Sequence, residues 1–400
     1  MDFPFPPATR AQMKLNNFDI PAFVQEYWQK NPLMIANPWE VWRNPLSADE
    51  LAGLACEEDV ESRLVTSGPD GQSRDWQLEH GPIPEQRFAT LDESGWTLLV
   101  QAVDQYVPDV AKLIEPFRFI PDWRIDDVMV SYAADGGGVG PHFDQYDVFL
   151  IQGAGQRRWQ IGDVCDEAAP LLPHDDLRLL AEFEPREEWI CEPGDILYVP
   201  PGVAHNGIAV GDDCMTYSIG FRAPSTSELI GYWSDALLAD LGKDERFADP
   251  GLALQGNPGE IGAEALNRLH DMVRRKIDDR VAFGRWFGEY GSSPKYAEFD
   301  HAQDVTLSEA DIKARLEAGS ELSLSPSSRF LFLRKNDESL ILFADGQSHD
   351  CSGASFRFAE ELCAMSAGTG KIRPVPLDDI LPLVTALVNQ GSLDLSDDKD

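Results

Sequence analysis

A histidine and an aspartate stand two positions apart in the segment GGGVGPHFDQYD, residues 136–147. Side chains at positions i and i+2 of an extended segment point the same way, so His142 and Asp144 can bind one cation. His205, far downstream, is a third candidate ligand. Two imidazoles and one carboxylate on one side of a metal are the ligand set of non-haem Fe(II) oxygenases, which keep positions open for co-substrate and dioxygen. The spacing therefore predicts an iron enzyme.

The surroundings of these residues favour a functional site over a chance pair. The glycines at 136–138 allow backbone conformations that other residues avoid and a close approach to a ligand. His205 follows EPGDILYVPPGVA, a short apolar strand broken by a Pro-Pro-Gly turn, so its imidazole is expected at a strand end rather than along a core face. His174, in the polar PHDD loop, is the histidine most easily mistaken for a ligand.

Two adjacent arginines in GQRRWQIGD, residues 155–163, can anchor an anionic co-substrate. Arg157 and Trp159 share one face of the predicted strand, whereas Arg158 lies on the other. A guanidinium binds a carboxylate through two parallel hydrogen bonds, which suits the far end of a dicarboxylate such as 2-oxoglutarate when its oxo-acid end chelates iron. The residue pattern leaves Arg157 and Arg158 nearly equal, and at least one of them must be a solvated arginine on the outside of the fold.

Short β-rich runs separated by glycine, proline and acidic turns fill the chain from residue 123 to about residue 203. A further run, CMTYSIGF, follows His205. Many short strands around a small buried site predict a double-sheet jelly roll, or cupin barrel.

Helical patterns flank this β-rich region on both sides. Their predicted N-caps are a Ser or Asp before an amphipathic run: Asp19, Ser47, Ser225 and Ser308. A longer helix is predicted from Trp96 to Ile114, and AEALNRLHDMVRRKIDDRVAFGRWF reads as a further amphipathic helical segment. RFLFLRKNDESLILF predicts a hairpin that turns at Asn336 and Asp337, and PLDDILPLVTALVNQG predicts a helix. Helices with a hairpin resemble a winged helix.

Composition limits the class of protein. Its 400 residues, 43% of them apolar, predict two or three globular domains. The six cysteines form no CxxC pair, which fits reduced thiols in the cytosol. MDFPFPPATRAQMK has no apolar core of a signal peptide, and no later run approaches the roughly 20 apolar residues of a membrane span. A net charge of -36 promotes solubility, argues against direct nucleic-acid binding and favours a basic partner.

Several segments are similar to one family. GGGVGPHFDQYDVFLIQGAGQRRW, EPGDILYVPPGVAHNG, SIGFRAP and, near the amino end, FVQEYWQKNPLMI resemble the bacterial JmjC-type ribosomal oxygenases of the cupin superfamily. The similarity covers nearly the full length, and its long central motif is highly specific. It implies a mainly β fold with α-helices, in which a JmjC/cupin double-stranded β-helix (jelly roll) core is followed by a helical segment and a winged-helix-like C-terminal domain.

The resemblance implies a division into three domains. Residues 1–224 would form a JmjC/cupin catalytic domain with N-terminal helices, residues 225–300 a helical dimerisation segment, and residues 301–400 the winged-helix-like domain. We therefore expect a homodimer in the cytoplasm. An apolar stripe in the helical segment is the candidate interface: Tyr232, Trp233, Leu237 and Leu241.

The resemblance also implies the site residues and cofactors. In that family the HxD pair and the distal histidine bind Fe(II), which here are His142, Asp144 and His205. The arginine that binds 2-oxoglutarate falls on Arg157, which favours it over Arg158. The implied reaction is a hydroxylation that consumes 2-oxoglutarate and dioxygen.

The substrate implied by the most similar members is an arginine side chain of large-subunit ribosomal protein sixteen, a basic protein. Candidates for contacting a cationic side chain are Asp135, Tyr146 and Asp147. A histidine hydroxylase of another ribosomal protein, a metal cupin with different chemistry and a non-catalytic metal-cupin binding module are the alternatives. Dependence of activity on 2-oxoglutarate separates the last two from the oxygenases.

Overall fold

The computed structural model of the protein describes residues 14–67, 76–242, 245–296, 306–365, 371–372 and 377–396. The chain divides into two compact units. Among the described residues, the first unit contains those up to residue 223, together with 323–327 and 371, and the second contains the others from residue 224 onward. The predicted boundary at residue 300 lies outside the described residues, and the division into three domains stays a prediction.

The first unit contains nine strands and four short α-helices among its described residues. The strands are β1 (Leu33–Ile35), β2 (Ser62–Thr66), β3 (Gln77–His80), β4 (Trp96–Val100), β5 (Ile125–Ala133), β6 (Val148–Val164), β7 (Glu187–Cys191), β8 (Ile196–Val199) and β9 (Val203–Phe221). The helices are α1 (Ile20–Glu26), α2 (Ala48–Ala55), α3 (Glu85–Phe88) and α4 (Pro108–Ala111).

Strands β6 and β9 organise the sheet. The order is β1-β8-β6-β9-β5-β4-β2-β3, and β7 pairs with the far half of β6. Residues 148–152 of β6 pair with 216–220 of β9, and residues 156–164 pair with 203–210 after a shift in register. Two long strands that bend and contribute to both halves of an antiparallel sheet are the framework of a jelly roll. The predicted fold class is confirmed.

The bend requires a glycine at one position. Gly155 has a left-handed φ of 58°, and a Cβ atom there would lie 2.7 Å from the carbonyl oxygen of Asp213. Asp213, on β9, is itself left-handed, with φ 58°. Because a residue with a side chain would be strained at position 155 and would also collide, glycine there lets both strands turn together.

The main apolar core lies on one face of the sheet. Phe149, Tyr198, Tyr217 and Ile219 are fully buried there and pack with Phe23 of α1. Alternate residues of the same strands point to the opposite face, which is the interior of the jelly roll. That interior contains the polar residues described below.

The long helix predicted from Trp96 to Ile114 is wrong. The segment begins with β4, continues through a 3-10 turn at Val103–Gln105, and then forms α4 and a second 3-10 turn at Lys112–Phe117. Residues 97–100 are buried on both faces of the sheet, so β4 shows no alternation of buried and exposed side chains, and periodicity cannot separate it from a helix. Ala102, with a left-handed φ of 52°, then breaks any regular element.

The C-terminal part of the chain is mainly helical, with two small sheets. Its helices are α5 (Thr226–Ala239), α6 (Ala263–Ile277), α7 (Arg280–Ser292), α8 (Glu309–Glu317), α9 (Ala354–Ala364) and α10 (Leu381–Asn389). Its strands are β10 (Glu321–Leu324), β11 (Phe330–Asn336), β12 (Ser339–Ala344), β13 (Gln347–Ser352), β14 (Lys371–Ile372) and β15 (Leu393–Ser396). The sheet orders are β14-β10-β15 and β11-β12-β13. The predicted hairpin is confirmed as β11 and β12, but its turn lies at Asp337 and Glu338 rather than at Asn336 and Asp337, because Asn336 still pairs with Ser339.

The predicted helix starts agree with the structure. Each predicted N-cap accepts a hydrogen bond from a first-turn backbone N–H group: Asp19, Ser47, Ser225 and Ser308. The amphipathic segment after residue 262 is two helices, because the Asp279 carboxylate accepts hydrogen bonds from the N–H groups of Val281 and Ala282 and starts α7. No helix in the described ranges is long and apolar enough to cross a membrane.

Candidate metal centre

The structure brings the three predicted ligands together. His142, Asp144 and His205 each offer one ligand atom, and these atoms all lie within 4.8 Å of one another. The His142 N–H donates to the His205 carbonyl at 3.0 Å, and the His205 N–H donates to the His142 carbonyl at 2.8 Å. Asp144 Oδ2 lies 3.6 Å from His205 Nε2. The two backbone hydrogen bonds between His142 and His205 therefore fix the separation of the two histidines.

Hydrogen bonds orient both imidazole rings. His142 Nδ1 lies 2.8 Å from the Gly140 carbonyl oxygen, and His205 Nδ1 lies 3.0 Å from that of Val203. Because a carbonyl oxygen can only accept, each Nδ1 carries the hydrogen and each Nε2 keeps a free lone pair. Metal-binding histidines are commonly oriented through the second ring nitrogen in this way.

Burial favours the uncharged form of His205. Its side chain is almost fully enclosed, and this desolvation, reinforced by the neighbouring His142, lowers the pKa of His205 to about 4 against the opposing effect of Asp144. A neutral imidazole is the form that binds a metal. Asp144 keeps 23% of its side chain exposed, so the carboxylate faces an opening.

Arg157 lies in the same interior and has an unused donor. It is buried, its Nε–H donates to Thr216 Oγ1 at 2.9 Å, and Nη1 reaches the Gly207 carbonyl at 3.4 Å. Within the part of the chain that the structure describes, its buried Nη2 atom has no hydrogen-bond partner. A buried guanidinium with an open donor is suited to a carboxylate ligand, because leaving the donor unsatisfied costs free energy.

Arg158 points the other way. Its side chain is 42% exposed and lies 4.0 Å from Glu188 at the surface. The residue pattern alone left the two arginines nearly equal, and the structure places only Arg157 on the side of the predicted metal ligands.

Trp159 lies between the anchor and the metal ligands. Its ring is 5.7 Å from Arg157 Cζ and 6.0 Å from the His205 ring. It packs on Gly207, where a Cβ atom would come within 2.6 Å of the indole. Ile161 of β6 pairs with His205. Arg157 is four residues before Ile161 on the same strand, which is about 13 Å along β6. The interior therefore has an indole wall between a carboxylate anchor and a metal site.

Other predicted residues have structural roles. His174 Nδ1 accepts the N–H groups of Asp176 and Leu177 and so caps a turn. Asp135 accepts the N–H of Gly211 at 2.7 Å. Asp147 is fully buried and accepts hydrogen bonds from three side chains, of which Tyr198 belongs to the core: Tyr198, Gln29 and Arg124. Asp147 is therefore a core residue rather than a substrate contact.

Tyr146 lies near the Asp144 carboxylate, and Asp127 lies near Tyr146. Tyr146 is 43% exposed, and partial desolvation, reinforced by the nearby carboxylates of Asp144 and Asp127, raises the pKa of Tyr146. Asp127 is buried and accepts from Gln101 Nε2 at 2.8 Å and from the Ala102 N–H at 3.0 Å. Sequence reasoning missed Asp127. Its only signal was an acidic pair inside an otherwise apolar strand.

Comparison with known proteins identifies the family. Residues 112–229 match the JmjC domain and residues 275–394 match the ROXA-like winged helix. The ribosomal protein uL16 3-hydroxylase of Escherichia coli (strain K12) is 38% identical over 374 residues, which are 93% of this chain and 96% of that protein. The chain belongs to the JmjC-domain ribosomal oxygenases. The predicted resemblance is confirmed.

Further relatives of this JmjC oxygenase agree. A probable ribosomal oxygenase of Haemophilus influenzae is 43% identical over 209 residues, 52% of this chain and 50% of that protein. The X-ray structure of E. coli YcfD superposes with a TM-score of 0.84 at 35% identity and covers 96% of this chain and 100% of that one. YcfD in complex with cobalt and 2-oxoglutarate gives a TM-score of 0.81 at 34% identity, with 96% and 99% covered.

Proposed function

We propose that this JmjC oxygenase uses Fe(II), 2-oxoglutarate and dioxygen to hydroxylate an arginine side chain of a large-subunit ribosomal protein. The observation that supports it most directly is the meeting of three metal-type ligands and a buried guanidinium with an open donor in one interior. The uL16 3-hydroxylase of E. coli, similar over nearly the full length, supports the substrate class.

The residues present fit the required groups. His142, Asp144 and His205 would bind the metal, and their two nitrogens and one oxygen match a facial set for Fe(II). Arg157 would bind the distal carboxylate of 2-oxoglutarate through Nη2. When bound, the iron with its co-substrates supplies the oxidising chemistry that inserts one oxygen atom into a C–H bond as 2-oxoglutarate becomes succinate and carbon dioxide.

The protein's own residues position the reactants and exclude water. The carbonyl groups of Gly140 and Val203 fix the imidazole rings, so little reorganisation accompanies metal binding. Trp159 is 7% exposed and closes the interior beside the anchor. The partly exposed Asp144 marks the side from which a substrate side chain would enter.

A cationic substrate is supported by charge at two scales. The net charge of -36 attracts a basic protein over a distance. Near Asp144, the Tyr146 ring would supply an aromatic group for a guanidinium, and the buried Asp127 carboxylate near Tyr146 would supply an anionic group. Gln101 and the Ala102 N–H hold the Asp127 carboxylate in place. We propose Tyr146 and Asp127 as substrate-recognition residues.

The test is a mass-spectrometric assay on peptides from basic ribosomal proteins, after anaerobic loading with Fe(II). We expect one added oxygen on arginine that requires both 2-oxoglutarate and dioxygen and is absent with His142→Ala. Oxidation of histidine instead would favour the alternative residue. Succinate formation without peptide oxidation would reject the substrate class, and absence of 2-oxoglutarate turnover would reject the oxygenase.

We also propose a cytoplasmic homodimer that makes no direct contact with nucleic acid, and the three domains that the resemblance implies. Apolar side chains lie uncovered on one stripe of α6: Leu266, Leu269, Val273 and Ile277. Of the earlier stripe, Tyr232 is 52% exposed, whereas Trp233 is buried against Phe283 and Trp286. A second copy of the stripe would cover these side chains.

Sedimentation of the full chain tests this assembly. We expect a dimer that dissociates with Leu269→Asp, whereas the control Glu264→Lys, on the same helix but outside the stripe, should remain dimeric. A monomeric wild-type protein would contradict the proposal.

A further inference from the structure

A chain of side-chain hydrogen bonds ends on the buried arginine. Thr216 Oγ1 accepts from Arg157 Nε at 2.9 Å and lies 3.1 Å from Gln152 Oε1. Gln152 Nε2 donates to the Ala154 carbonyl at 2.7 Å. Gln152, Arg157 and Thr216 are all buried. No solvent competes for these contacts, so each one constrains the next.

The order of donors and acceptors in this chain is determined by one backbone group. The Ala154 carbonyl can only accept, so the nitrogen of the Gln152 amide must face it and the amide oxygen must face Thr216. The single hydroxyl hydrogen of Thr216 is then donated to Gln152, and an oxygen lone pair is left for Arg157 Nε–H.

The hydrogen bond between Arg157 and Thr216 crosses the bend of β6 and β9. Gln152 and Thr216 are direct partners before the bend, whereas Arg157 pairs with Ala209 beyond it. The turn at Gly155 brings the hydroxyl back over the guanidinium. With Nε held by Thr216 and Nη1 near Gly207, the plane of the guanidinium is fixed and Nη2 is its unpaired edge.

We propose that Thr216, oriented by Gln152, is a positioning residue that aims the open Nη2 edge of Arg157 at the distal carboxylate of the co-substrate. The inference rests on the proposed function, because it deepens the role of the anchor. Thr216 itself does not bind the carboxylate, since its only hydrogen is already donated to Gln152.

Direct binding of 2-oxoglutarate to the full-length protein loaded with Co(II) tests this, measured by calorimetry. Removing a hydrogen bond to a charged group should weaken binding by roughly 10- to 100-fold in Thr216→Val. Thr216→Ser, which keeps the hydroxyl, should stay within about threefold of wild type. Co(II) affinity should not change, and in the iron enzyme the KM for 2-oxoglutarate should rise while kcat at saturation is retained.

Thr97→Val is the matched control. Thr97 is a buried threonine on β4 of the same sheet, and its hydroxyl has no hydrogen-bond partner among the described residues. The same substitution there should leave 2-oxoglutarate affinity unchanged. Thermal melting of each variant checks that it is folded.

Gln152→Met separates positioning from direct contact. If Thr216 positions the guanidinium, loss of the Gln152 acceptor lets the Thr216 hydroxyl rotate, and 2-oxoglutarate should bind more weakly. If the hydroxyl bound the carboxylate itself, freeing its hydrogen would strengthen binding, and that result would overturn the proposal. Because Gln152 acts only through Thr216, the double variant should bind no more weakly than Thr216→Val alone.

Other outcomes are equally distinct. Wild-type affinity in Thr216→Val, or a loss in Thr216→Ser as large as in Thr216→Val, would overturn the positioning role and leave the proposed function intact. Failure of the wild-type protein to bind 2-oxoglutarate would overturn the proposed function and this inference with it. Should Thr216→Val not fold, Gln152→Met and Thr216→Ser still decide.

Discussion

The two faces of β9 contain different kinds of residue, and both are buried from residue 214 to residue 219. On one face Met215, Tyr217 and Ile219 join the apolar core. On the other, Thr216 contacts Arg157, and His205 at the start of the strand belongs to the candidate metal site. Because successive side chains alternate, one strand supplies both a rigid core and a polar interior.

The difference between the two faces shows how the geometry of the site is maintained. Apolar packing on one face stabilises the sheet without directional contacts, whereas the polar face depends on specific hydrogen bonds. Substitutions on the core face should therefore change stability, and substitutions on the polar face should change ligand binding. Three measurements test this separation.

The largest effect is expected for His205→Ala on the polar face. Loss of a partner that only orients a ligand costs 10- to 100-fold in metal affinity, so loss of the ligand itself should cost more than about 100-fold. Mn(II) binding followed by electron paramagnetic resonance measures this. Metal binding close to that of wild type would place the metal site elsewhere.

On the core face of the same sheet, Phe149 of β6 pairs with Ile219 of β9, and Phe149→Ala should lower the free energy of unfolding by about 3–5 kcal/mol. Phe149 is fully buried, with ring centroids of Phe117 and Tyr198 at 4.5 and 5.0 Å. Urea denaturation followed by tryptophan fluorescence measures the loss. The folded variant should bind Mn(II) as wild type does, and a large loss of affinity would break the separation of the two faces.

The smallest effect is expected on 2-oxoglutarate affinity, and it distinguishes Arg157 from its neighbour Arg158. Arg157→Met should weaken 2-oxoglutarate binding by roughly 10- to 100-fold, because a charge-assisted contact is lost. Arg158→Met, at the exposed pair with Glu188, should change affinity by less than about twofold. Equal losses in both variants would show that orientation on the strand does not select the anchor.

Much of the fold and of the candidate metal site could be predicted from the sequence, because the signals that determine them are local. The HxD spacing, the capping residues and the hairpin each depend on neighbours in the chain, and the structure places them as expected, the hairpin turn to within one residue. β4 was misread because a strand buried on both faces has no alternation.

What could not be read depends on contacts between distant segments. The choice between Arg157 and Arg158 rested on a resemblance, since strand parity does not say which face is interior. Asp147 and Asp127 are both acidic residues near predicted strands. Only tertiary packing shows that Asp147 is buried against Tyr198 and Arg124, whereas Asp127 lies near Tyr146. The Thr216 contact requires the bend at Gly155.

The mutual backbone hydrogen bonds of His142 and His205 have a consequence for how the folded enzyme gains and loses its metal ion. Since the peptide groups set the spacing of the ligands, the empty and loaded forms should share one fold, and gain or loss of the ion is a local exchange rather than a folding event. A pool of intact protein could then be switched on by iron supply alone, without new synthesis.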